Sequence, residues 1–547
     1  MKNYIRYSLL IFGLAAMGLV SCQKGNLAAN PNVASTNSTV PVSLIFNRIV
    51  NEMYNGGGVM DGVSGEVSEI PFSQVMRWNQ FFVSNYSYYW GGNSYNWSNT
   101  ATMYSMLKYI ELMEQQTATQ YPVAPQPYTA LAKFFRAYLF VWYTQRVGDI
   151  PMTDAGTSSL TPTYNTQHDV YKNSLALLDT ANTLMATYIS QAGSTKTVGG
   201  DIYGLTALQW QKVINTYKLR VLISLSRRAT DNADLNIPSQ FATIVNTPTT
   251  YPIMTSISDN LQYTYNAAYN KYPIDPNYTP YDFFENVCGT FLNITTSTQD
   301  PRTFIAATPA PNAITGGKLV TDFTAYVGAD IDTTQSELLI ASGNNHKGEG
   351  AYSFHNYLRY YTTAVSTVSS PTSAEPDMII GYPEMCFNIA EAANRGWISG
   401  VSGSSWYTKG IMGSMAVYGL SDGVVVPIGD EYGNSLGSVT VSVSNFLANA
   451  NVLYAGDNAT GLTQILTQKY VAFWQNSGWE AYYNWRRTGV PTFQQGGPGI
   501  GTANSQIPIR WQYPTDEQSY NTTNYQSAIQ SQFGGTDAIT STMWLTK

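Results

Sequence analysis

The feature that most constrains the fold of this chain is a succession of segments in which apolar residues return every three or four positions. That spacing places apolar side chains on one face of an α-helix. The clearest segments cover residues 128–146, 169–188 and 207–227. Each such helix must bury its apolar face against another element, so the chain is predicted to pack its helices against one another.

Four further segments fit the same pattern. One predicted helix begins near Val42, and the others cover residues 384–395, 407–418 and 462–473. Successive amphipathic helices with alanine and aromatic residues at close contacts are typical of tetratricopeptide arrays, although no clean repeat of about 34 residues is visible. The predicted fold class is therefore mainly α, with tetratricopeptide-like helix pairs forming an α-helical scaffold.

The rest of the chain has a different composition. Tyrosine, asparagine, proline, threonine and glycine dominate between about residues 246 and 380, which predicts a long loop-rich segment with short strands. The stretch from residue 491 onward is expected to be irregular in the same way. We expect one body, residues 41–547, made of a helical part, a loop-rich part, further helices and an irregular C-terminal part, at 41–245, 246–380, 381–490 and 491–547.

The amino terminus is typical of an export signal. Lys2 and Arg6 precede an apolar run over residues 8–20. This run is shorter than the roughly 20 residues that a membrane-spanning helix needs. It therefore predicts a signal peptide.

The end of this run carries a lipidation pattern. Leu19, the small residue Ser21 and then Cys22 resemble the lipobox of bacterial lipoproteins, in which a diacylglycerol is attached to the cysteine. Several acyl chains anchor a protein far more firmly than one. We predict a lipoprotein signal peptide at 1–21, lipidation of Cys22 and a flexible tether at 22–40; the alternative is an ordinary secretory signal.

Composition limits the partners. Charged residues make up 12% of the chain, about half the usual share. The net charge is −7 and the isoelectric point is about 5.1. An acidic, weakly charged protein of this kind does not favour phosphate-rich ligands, so no nucleic-acid partner is expected.

Few residues suit metal binding or catalysis. Cys288 and Cys386 allow one disulfide, but two buried free thiols are the preferred interpretation. His168, His346 and His355 lack metal-ligand spacing, and no serine or cysteine lies in a nucleophile signature. We therefore predict no catalytic residue, no metal ligand and no enzyme activity, and leave open a calcium ion in the aspartate-containing loops.

Three other features are interpreted as ordinary loop or surface residues without a catalytic or binding role. The glycines of residues 496–501 lack the spacing and lysine of a phosphate-binding loop, which favours a flexible loop. The neighbouring carboxylates Asp330 and Asp332, or Asp516 and Glu517, could in principle serve as acid and base in glycoside hydrolysis. Neighbours in sequence seldom have the required separation, so we expect solvated surface carboxylates.

Residues 78–97 are the best candidate for ligand binding. Sugars present flat C–H patches beside hydroxyl groups, so a glycan site needs exposed aromatic faces flanked by amides. The candidate side chains in this stretch are Tyr89, Trp90, Asn93, Tyr95, Asn96 and Trp97. Large aromatic residues are also common in cores. We give ligand binding and core packing equal weight for the candidate side chains, and we assign core positions to Trp78, Phe81 and Phe82.

A second aromatic group lies in the loop-rich part. The sequence does not distinguish ligand contacts from core positions within this group. Its members are Tyr263, Tyr265, Tyr269, Tyr272, Tyr278 and Tyr281.

Four motifs, in order along the chain, resemble one protein family. They are AKFFRAY with RVGDIP at 132–151, YG…LR at 203–220, YPE…AEA…GW at 382–397, and QKY…RRTGVP…IPIR…YP at 468–514. Together they resemble the SusD/RagB group of outer-membrane lipoproteins. The resemblance implies a mainly helical fold and glycan binding through aromatic arcs, one of which follows the first helix.

The motif arginines have a structural interpretation. Arg136, Arg220, Arg486 and Arg487 lie in aromatic, weakly charged surroundings. A guanidinium there requires carboxylates such as Glu391 or backbone carbonyls, so we expect structural pairs more than ligand contacts.

The resemblance also implies a function. It predicts an outer-membrane lipoprotein, lipid-anchored and exposed at the cell surface, that binds oligosaccharides and delivers them to a SusC-like TonB-dependent transporter. No cofactor is expected beyond the covalent diacylglycerol on Cys22. A RagB-like peptide-binding protein is the alternative, and a glycoside hydrolase is the least favoured.

Overall fold

The computed structural model describes most of the body of the chain. The described residues are 39–54, 69–86, 92–95, 97–100, 102, 104–266, 272–273, 284–343, 350–360 and 375–547. The predicted signal peptide, Cys22 and nearly all of the predicted tether lie outside them.

Helices dominate the described residues, which confirms the predicted fold class. They are α1 Val42–Tyr54, α2 Gln74–Trp78, α3 Tyr104–Gln120, α4 Pro127–Val147, α5 Gln167–Ala192, α6 Ala207–Ser224, α7 Ile237–Asn246, α8 Gly289–Ser297, α9 Arg302–Ala306, α10 Pro311–Thr315, α11 Gln335–Ala341, α12 Tyr357–Tyr360, α13 Tyr382–Asn394, α14 Gly403–Val417, α15 Val443–Ala448, α16 Ala459–Ala472, α17 Glu480–Thr488, α18 Thr515–Tyr520 and α19 Thr522–Phe533.

The long helices pack in sequence order. Helix α1 contacts α3, α3 contacts α4, α4 contacts α5 and α5 contacts α6. Helix α6 then contacts α13, which packs on α14 and α16. This stacking buries the apolar faces that the three- and four-residue spacing predicts, including Phe134, Tyr138 and Trp210.

Local sequence fixes where these helices begin and end. Thr206 and Gln209 form a capping box at the start of α6, where each side chain bonds the backbone N–H of the other residue. Gly148 follows α4 at φ 106°, a value that favours glycine, and a Cβ there would lie 2.1 Å from Gln532 Oε1. The glycine of the RVGDIP motif therefore ends the helix.

Strands are short and paired in twos. They are β1 Phe82–Ser84, β2 Leu261–Tyr263, β3 Glu285–Val287, β4 Asp377–Ile380, β5 Val425–Gly429 and β6 Ser435–Thr440. The antiparallel pairs are β1 with β3, β2 with β4 and β5 with β6. The β1–β3 pair joins the loop-rich part to a segment that precedes it, and the β2–β4 pair joins two segments of the loop-rich part to each other.

The C-terminal part differs from its prediction. Residues 491–547 were expected to be irregular, but they include α18 and α19. Helix α19 buries Tyr525, Ala528 and Ile529, which lie three and four positions apart. This apolar stripe is narrow and the remaining residues are polar, so the helical period is weak.

Two further observations complete the fold. Cys288 and Cys386 are both buried and free, which is the preferred of the two interpretations. Among the helices that the structure describes, none combines the length and apolar character needed to cross a membrane.

Candidate functional site

The segment predicted to bind ligand begins in the core. Trp78, Phe81 and Phe82 are buried, as predicted, with at most 5% of their surface exposed. Tyr89, Trp90 and Asn96 are not among the described residues, so their role stays a prediction.

The other three candidates are buried. Asn93, Tyr95 and Trp97 expose 4%, 0% and 7% of their surfaces. A ring must present a free face to stack on a sugar. Of the two roles weighed evenly for these three residues, their burial favours the core role over an exposed binding face.

Distant aromatic residues cause this burial. Trp97 stacks on Trp511 with ring centroids 4.8 Å apart and planes at 15°, and its edge contacts Trp78 at 4.9 Å. Trp479 packs against Trp511 at 4.8 Å. We call Trp78, Trp97, Trp479 and Trp511 the tryptophan cluster; it forms a rigid base beneath the candidate segment.

Hydrogen bonds of Tyr95 join the candidate segment to the tryptophan cluster. Its hydroxyl donates to the backbone oxygen of Trp78 at 2.8 Å and accepts from Gln80 Nε2 at 3.1 Å. Trp78 Nε1 donates to the backbone oxygen of Ser94 at 3.0 Å. Burial raises the pKa of Tyr95 well above its ordinary value, so the phenol remains a neutral donor.

The two ends of the stretch 86–92 are held together. Asn93 Oδ1 accepts from the backbone N–H of Ser84 at 2.8 Å, and Asn93 Nδ2 donates to the backbone oxygen of Ser84 at 2.9 Å. The backbone oxygen of Gly92 accepts from Arg77 Nη1 at 3.1 Å and from Gln74 Nε2 at 3.2 Å. We call Ser84, Gly92 and Asn93 the neck.

A buried ion pair contacts the neck through Arg77. Arg77 Nη2 lies 3.3 Å from Glu285 Oε1, and both side chains are almost completely buried. The guanidinium of Arg77 also lies over the ring of Phe82, 5.3 Å from its centroid. Because Arg77 pairs with Glu285 of β3 and also donates to the backbone oxygen of Gly92, it links the β1–β3 pair to the neck.

Two aromatic rings beside the neck were not among the predicted site residues. Tyr86 stacks on Phe284 with centroids 4.7 Å apart, and both residues are half-buried. Gln335 Nε2 donates to the backbone oxygen of Ser84 at 3.2 Å, which brings an amide to the same place. Tyr86 lies inside the predicted stretch, but nothing in the sequence pairs it with Phe284 or Gln335.

The described members of the second tyrosine group lie in the core or pack against it. Tyr265 and Tyr272 expose 3% and 1% of their surfaces, and Tyr263 packs against Tyr54 with centroids 4.4 Å apart. The remaining members lie outside the described residues: Tyr269, Tyr278 and Tyr281. These described tyrosines do not form an exposed aromatic surface.

Comparison with known families identifies the chain. Residues 32–514 match the model of a SusD-like family described as starch-binding and associating with the outer membrane. The chain belongs to the SusD-like family. The resemblance of the four motifs is thereby confirmed, and the family places the protein at the outer membrane.

Solved structures resemble this SusD-like protein over almost its whole length. A SusD homolog from Bacteroides fragilis is 28% identical, with a TM-score of 0.75 and coverage of 93% of this chain and 100% of the other. A protein from Bacteroides vulgatus, to which an outer-membrane, nutrient-binding role has been ascribed, is 28% identical with a TM-score of 0.72, at 93% and 100% coverage.

A more distant likeness concerns the fold alone. A chitin-binding protein shares 21% identity, with a TM-score of 0.65 and coverage of 92% of this chain and 99% of the other. A search of curated protein sequences found no match.

The motif arginines of the SusD-like protein make structural pairs. Arg136 Nη2 lies 2.8 Å from Glu114 Oε2, and Arg487 Nη2 lies 2.8 Å from Glu391 Oε2. Two strong ion pairs hold the pKa of Glu391 at about 2 despite its burial. The prediction that Glu391 accepts one of these arginines is confirmed.

The other two motif arginines also form hydrogen bonds within the protein. Arg220 Nε donates to Glu384 Oε1 at 2.8 Å, and its Nη2 bonds the second carboxylate oxygen. Arg486 donates to the backbone oxygens of Ile509 and Gln145 at 2.9 and 2.8 Å. These motifs therefore mark the fold.

The residues considered for catalysis do not converge. His168 lies 3.0 Å from Asp169 and 3.2 Å from Asp234, and the buried His355 lies 3.4 Å from Glu285. Within the described ranges, no group of three or more His, Cys, Asp or Glu residues could hold a metal ion. His346 is not described.

The paired carboxylates and the glycine-rich stretch have structural contacts. Asp330 accepts a hydrogen bond from the Gln494 side chain, and Glu517 accepts one from the Tyr164 hydroxyl at 2.5 Å. The backbone N–H of Gly499 donates to the backbone oxygen of Asp332 at 2.8 Å, so the glycine stretch packs on the neighbouring chain.

Proposed function

We propose that this SusD-like protein binds glycans at the cell surface and passes them to a SusC-like TonB-dependent transporter. The observation that carries the proposal is the family match over residues 32–514, with its starch-binding, outer-membrane description. Lipid attachment at Cys22 and the tether that follows would keep the body close to a transporter in the same membrane.

The neck supports a position for the ligand. It fixes both ends of the stretch that contains Tyr89 and Trp90 on the buried tryptophan cluster. A binding segment mounted on a rigid base loses less conformational entropy when it binds. Tyr86, Phe284 and Gln335 add half-buried aromatic and amide groups beside it.

The proposed chemistry is stacking without covalent change. Aromatic faces bind the C–H patches of sugar rings, and amides bind the hydroxyl groups. We propose no catalytic residue, metal ion or other cofactor. A hydrolase would release reducing ends from a polysaccharide, and we expect none after prolonged incubation.

Calorimetric titration of the chain from residue 23 onward tests ligand binding. The panel should contain starch-type and chitin-type oligosaccharides, other polysaccharides and mixed oligopeptides. We expect binding to one glycan class and about a tenfold loss of affinity in Trp90→Ala. The matched control is Trp406→Ala, which removes a partly exposed tryptophan on α14, and it should bind normally.

Binding of peptides alone would replace the glycan proposal with the RagB-like alternative. Silence with both panels would remove the ligand-binding proposal. The transporter is tested separately by detergent extraction of the native lipoprotein, which should co-purify a large barrel protein.

A further inference from the structure

A cavity of about 60 Å³ lies away from the neck. Helices α4, α6 and α17, strand β4 and the segment around Glu69 enclose it. The volume corresponds to about four water-sized positions. Its wall contains the carboxyl groups of Glu69, Asp377 and Glu480. The aromatic rings of the wall are those of Tyr138, Trp142, Tyr217 and Tyr483.

Asp377 is the unusual member of this wall. It exposes only 3% of its surface, and its carboxyl group has no hydrogen bond or ion pair with any described residue. Burial raises the pKa of this carboxyl well above its ordinary value, and the negative charge of Glu69 raises it further. A buried acceptor without a partner is costly unless something else satisfies it.

Glu480 is also incompletely satisfied. Its Oε1 lies 3.7 Å from Arg220 Nη1, which is beyond hydrogen-bond distance. Glu69 is better paired, since its Oε1 accepts from Trp142 Nε1 and Arg146 Nη2, each at 3.0 Å. The cavity therefore presents two carboxyl groups, those of Asp377 and Glu480, that accept no hydrogen bond from the side chains that the structure describes.

The cations of the wall cannot supply these donors. Arg220 is held by Glu384, and Lys469 Nζ donates to Asn388 Oδ1 at 2.7 Å. Arg487 is held by Glu391, and Arg486 is held by backbone oxygens. Among the described residues, the cations of the wall therefore have their hydrogen bonds elsewhere, and Asp377 and Glu480 are open to a donor that enters the cavity.

We propose that this cavity binds a small organic ammonium compound, whose N–H groups donate to Asp377 and Glu480. Asp377 and Glu480 line the same cavity, so a single small molecule can reach both carboxyl groups. The rings of Tyr138 and Tyr217 line the same space and attract a cation through their faces.

An ammonium group beside Asp377 stabilises the ionised form of its carboxyl group and lowers its pKa, which opposes the effect of burial and of Glu69. The other charged groups around the cavity are Glu69, Arg146, Glu480, Arg220, Lys469, Arg486 and Arg487. The covalent bonds of the ligand are unchanged.

The probe is ethanolamine, titrated into the full chain at pH 8 by calorimetry. Its neutral counterpart, ethylene glycol, has the same number of heavy atoms and a similar shape. We expect ethanolamine to bind with a Kd of about 0.1–10 mM, as its few atoms allow, and ethylene glycol to bind at least about tenfold more weakly.

Variants locate the site. Asp377→Asn and Glu480→Gln should each weaken ethanolamine binding by about tenfold or more, whereas Asp516→Asn on α18 should leave it unchanged. Trp90→Ala should also leave it unchanged, which separates this site from the glycan proposal. Absence of ethanolamine binding, equal binding of ethylene glycol, or unchanged binding in both cavity variants would overturn the proposal, and the wild-type comparison decides even if a variant does not fold.

Discussion

Surroundings decide what each aromatic residue does in this protein. Trp97 is enclosed by Trp78 and Trp511, and its indole N–H donates to the backbone oxygen of Arg510 at 3.4 Å. Trp406, by contrast, is partly exposed and carries Lys409 Nζ over its ring at 4.1 Å. The same side-chain type therefore stabilises the core at one position and borders solvent at the other.

Trp97→Ala tests the role of the tryptophan cluster. Removing this buried ring leaves a cavity against Trp78 and Trp511, so the free energy of unfolding should fall by about 3–5 kcal/mol. Urea denaturation followed by circular dichroism measures the change. Trp406→Ala is the matched control and should cost less than Trp97→Ala, because Trp406 is only partly buried against the core. Unchanged stability in Trp97→Ala would mean that the ring is not part of the core.

Asn93→Asp tests the neck. The carboxylate can still accept from the backbone N–H of Ser84, but it faces the Ser84 carbonyl oxygen without the donor that Nδ2 provides. We expect a correctly folded protein whose affinity for its glycan falls by about tenfold, because the two ends of the stretch 86–92 separate. Calorimetric titration and circular dichroism together measure this. Wild-type affinity in the folded variant would show that the neck does not position the ligand.

Part of this residue-scale arrangement is visible in the sequence. Core positions for Trp78, Phe81 and Phe82 were predicted because large aromatic residues are usually buried, and the structure confirms them. The burial of Tyr95 and Trp97 does not, because their partners Trp479, Trp511 and Gln80 come together only through the tertiary fold. An aromatic and amide-rich stretch has the same composition whether it faces a sugar or another part of the chain.

At the scale of elements, helices with a broad apolar face are predictable and polar ones are not. The predicted segment 128–146 corresponds to α4 Pro127–Val147, which is buried on most of its surface. Helix α3 was missed because its buried face consists mainly of four apolar residues in a polar sequence, at Met106, Leu107, Ile110 and Met113. Tertiary packing, which supplies most helix stability, selects such segments.

Glu391→Gln tests how α13 is joined to α17. The buried carboxylate pairs with Arg487 of α17 and Arg395, and losing its charge leaves Arg487 buried beside a neutral amide. We expect the free energy of unfolding to fall by about 3–5 kcal/mol in urea denaturation. Asp234→Asn removes an exposed ion pair with Lys172 and should cost less than about 1 kcal/mol.

The pH dependence has a defined sign. The pKa of Glu391 is about 2 in the folded protein, below its ordinary 4.5. Its contribution to stability is therefore present above pH 4.5 and is lost as the pH falls towards 2. A Glu391→Gln variant whose stability matches the wild type at pH 6 would contradict the ion-pair account.

At the scale of the whole molecule, this weakly charged chain places several of its charged side chains in the interior, where they form ion pairs. Ion pairs such as Arg77–Glu285, Arg220–Glu384 and Arg487–Glu391 join segments that are far apart in sequence. Glu480 faces the cavity among these pairs, and burial raises its pKa to about 7. Sequence motifs revealed the arginines, but the cavity requires the packing of helices from both halves of the chain.

Glu480→Gln tests this interior at the level of overall stability. Because the folded pKa of about 7 exceeds the ordinary 4.5, the stability associated with protonated Glu480 is complete below pH 4.5 and is lost as the pH rises through 7. The wild type should therefore lose a few degrees of Tm relative to Glu480→Gln between pH 4.5 and 8. Asp516→Asn should follow the wild-type profile. Parallel profiles for wild type and Glu480→Gln would show that Glu480 does not titrate in this range.

Ligand capture is the central claim, and calorimetric titration of the chain from residue 23 onward against the glycan and peptide panel tests it most directly. The account predicts saturable binding of one glycan class, reduced about tenfold in Trp90→Ala and unchanged in Trp406→Ala. No heat of binding with any glycan, in a protein shown to be folded by circular dichroism, would contradict it.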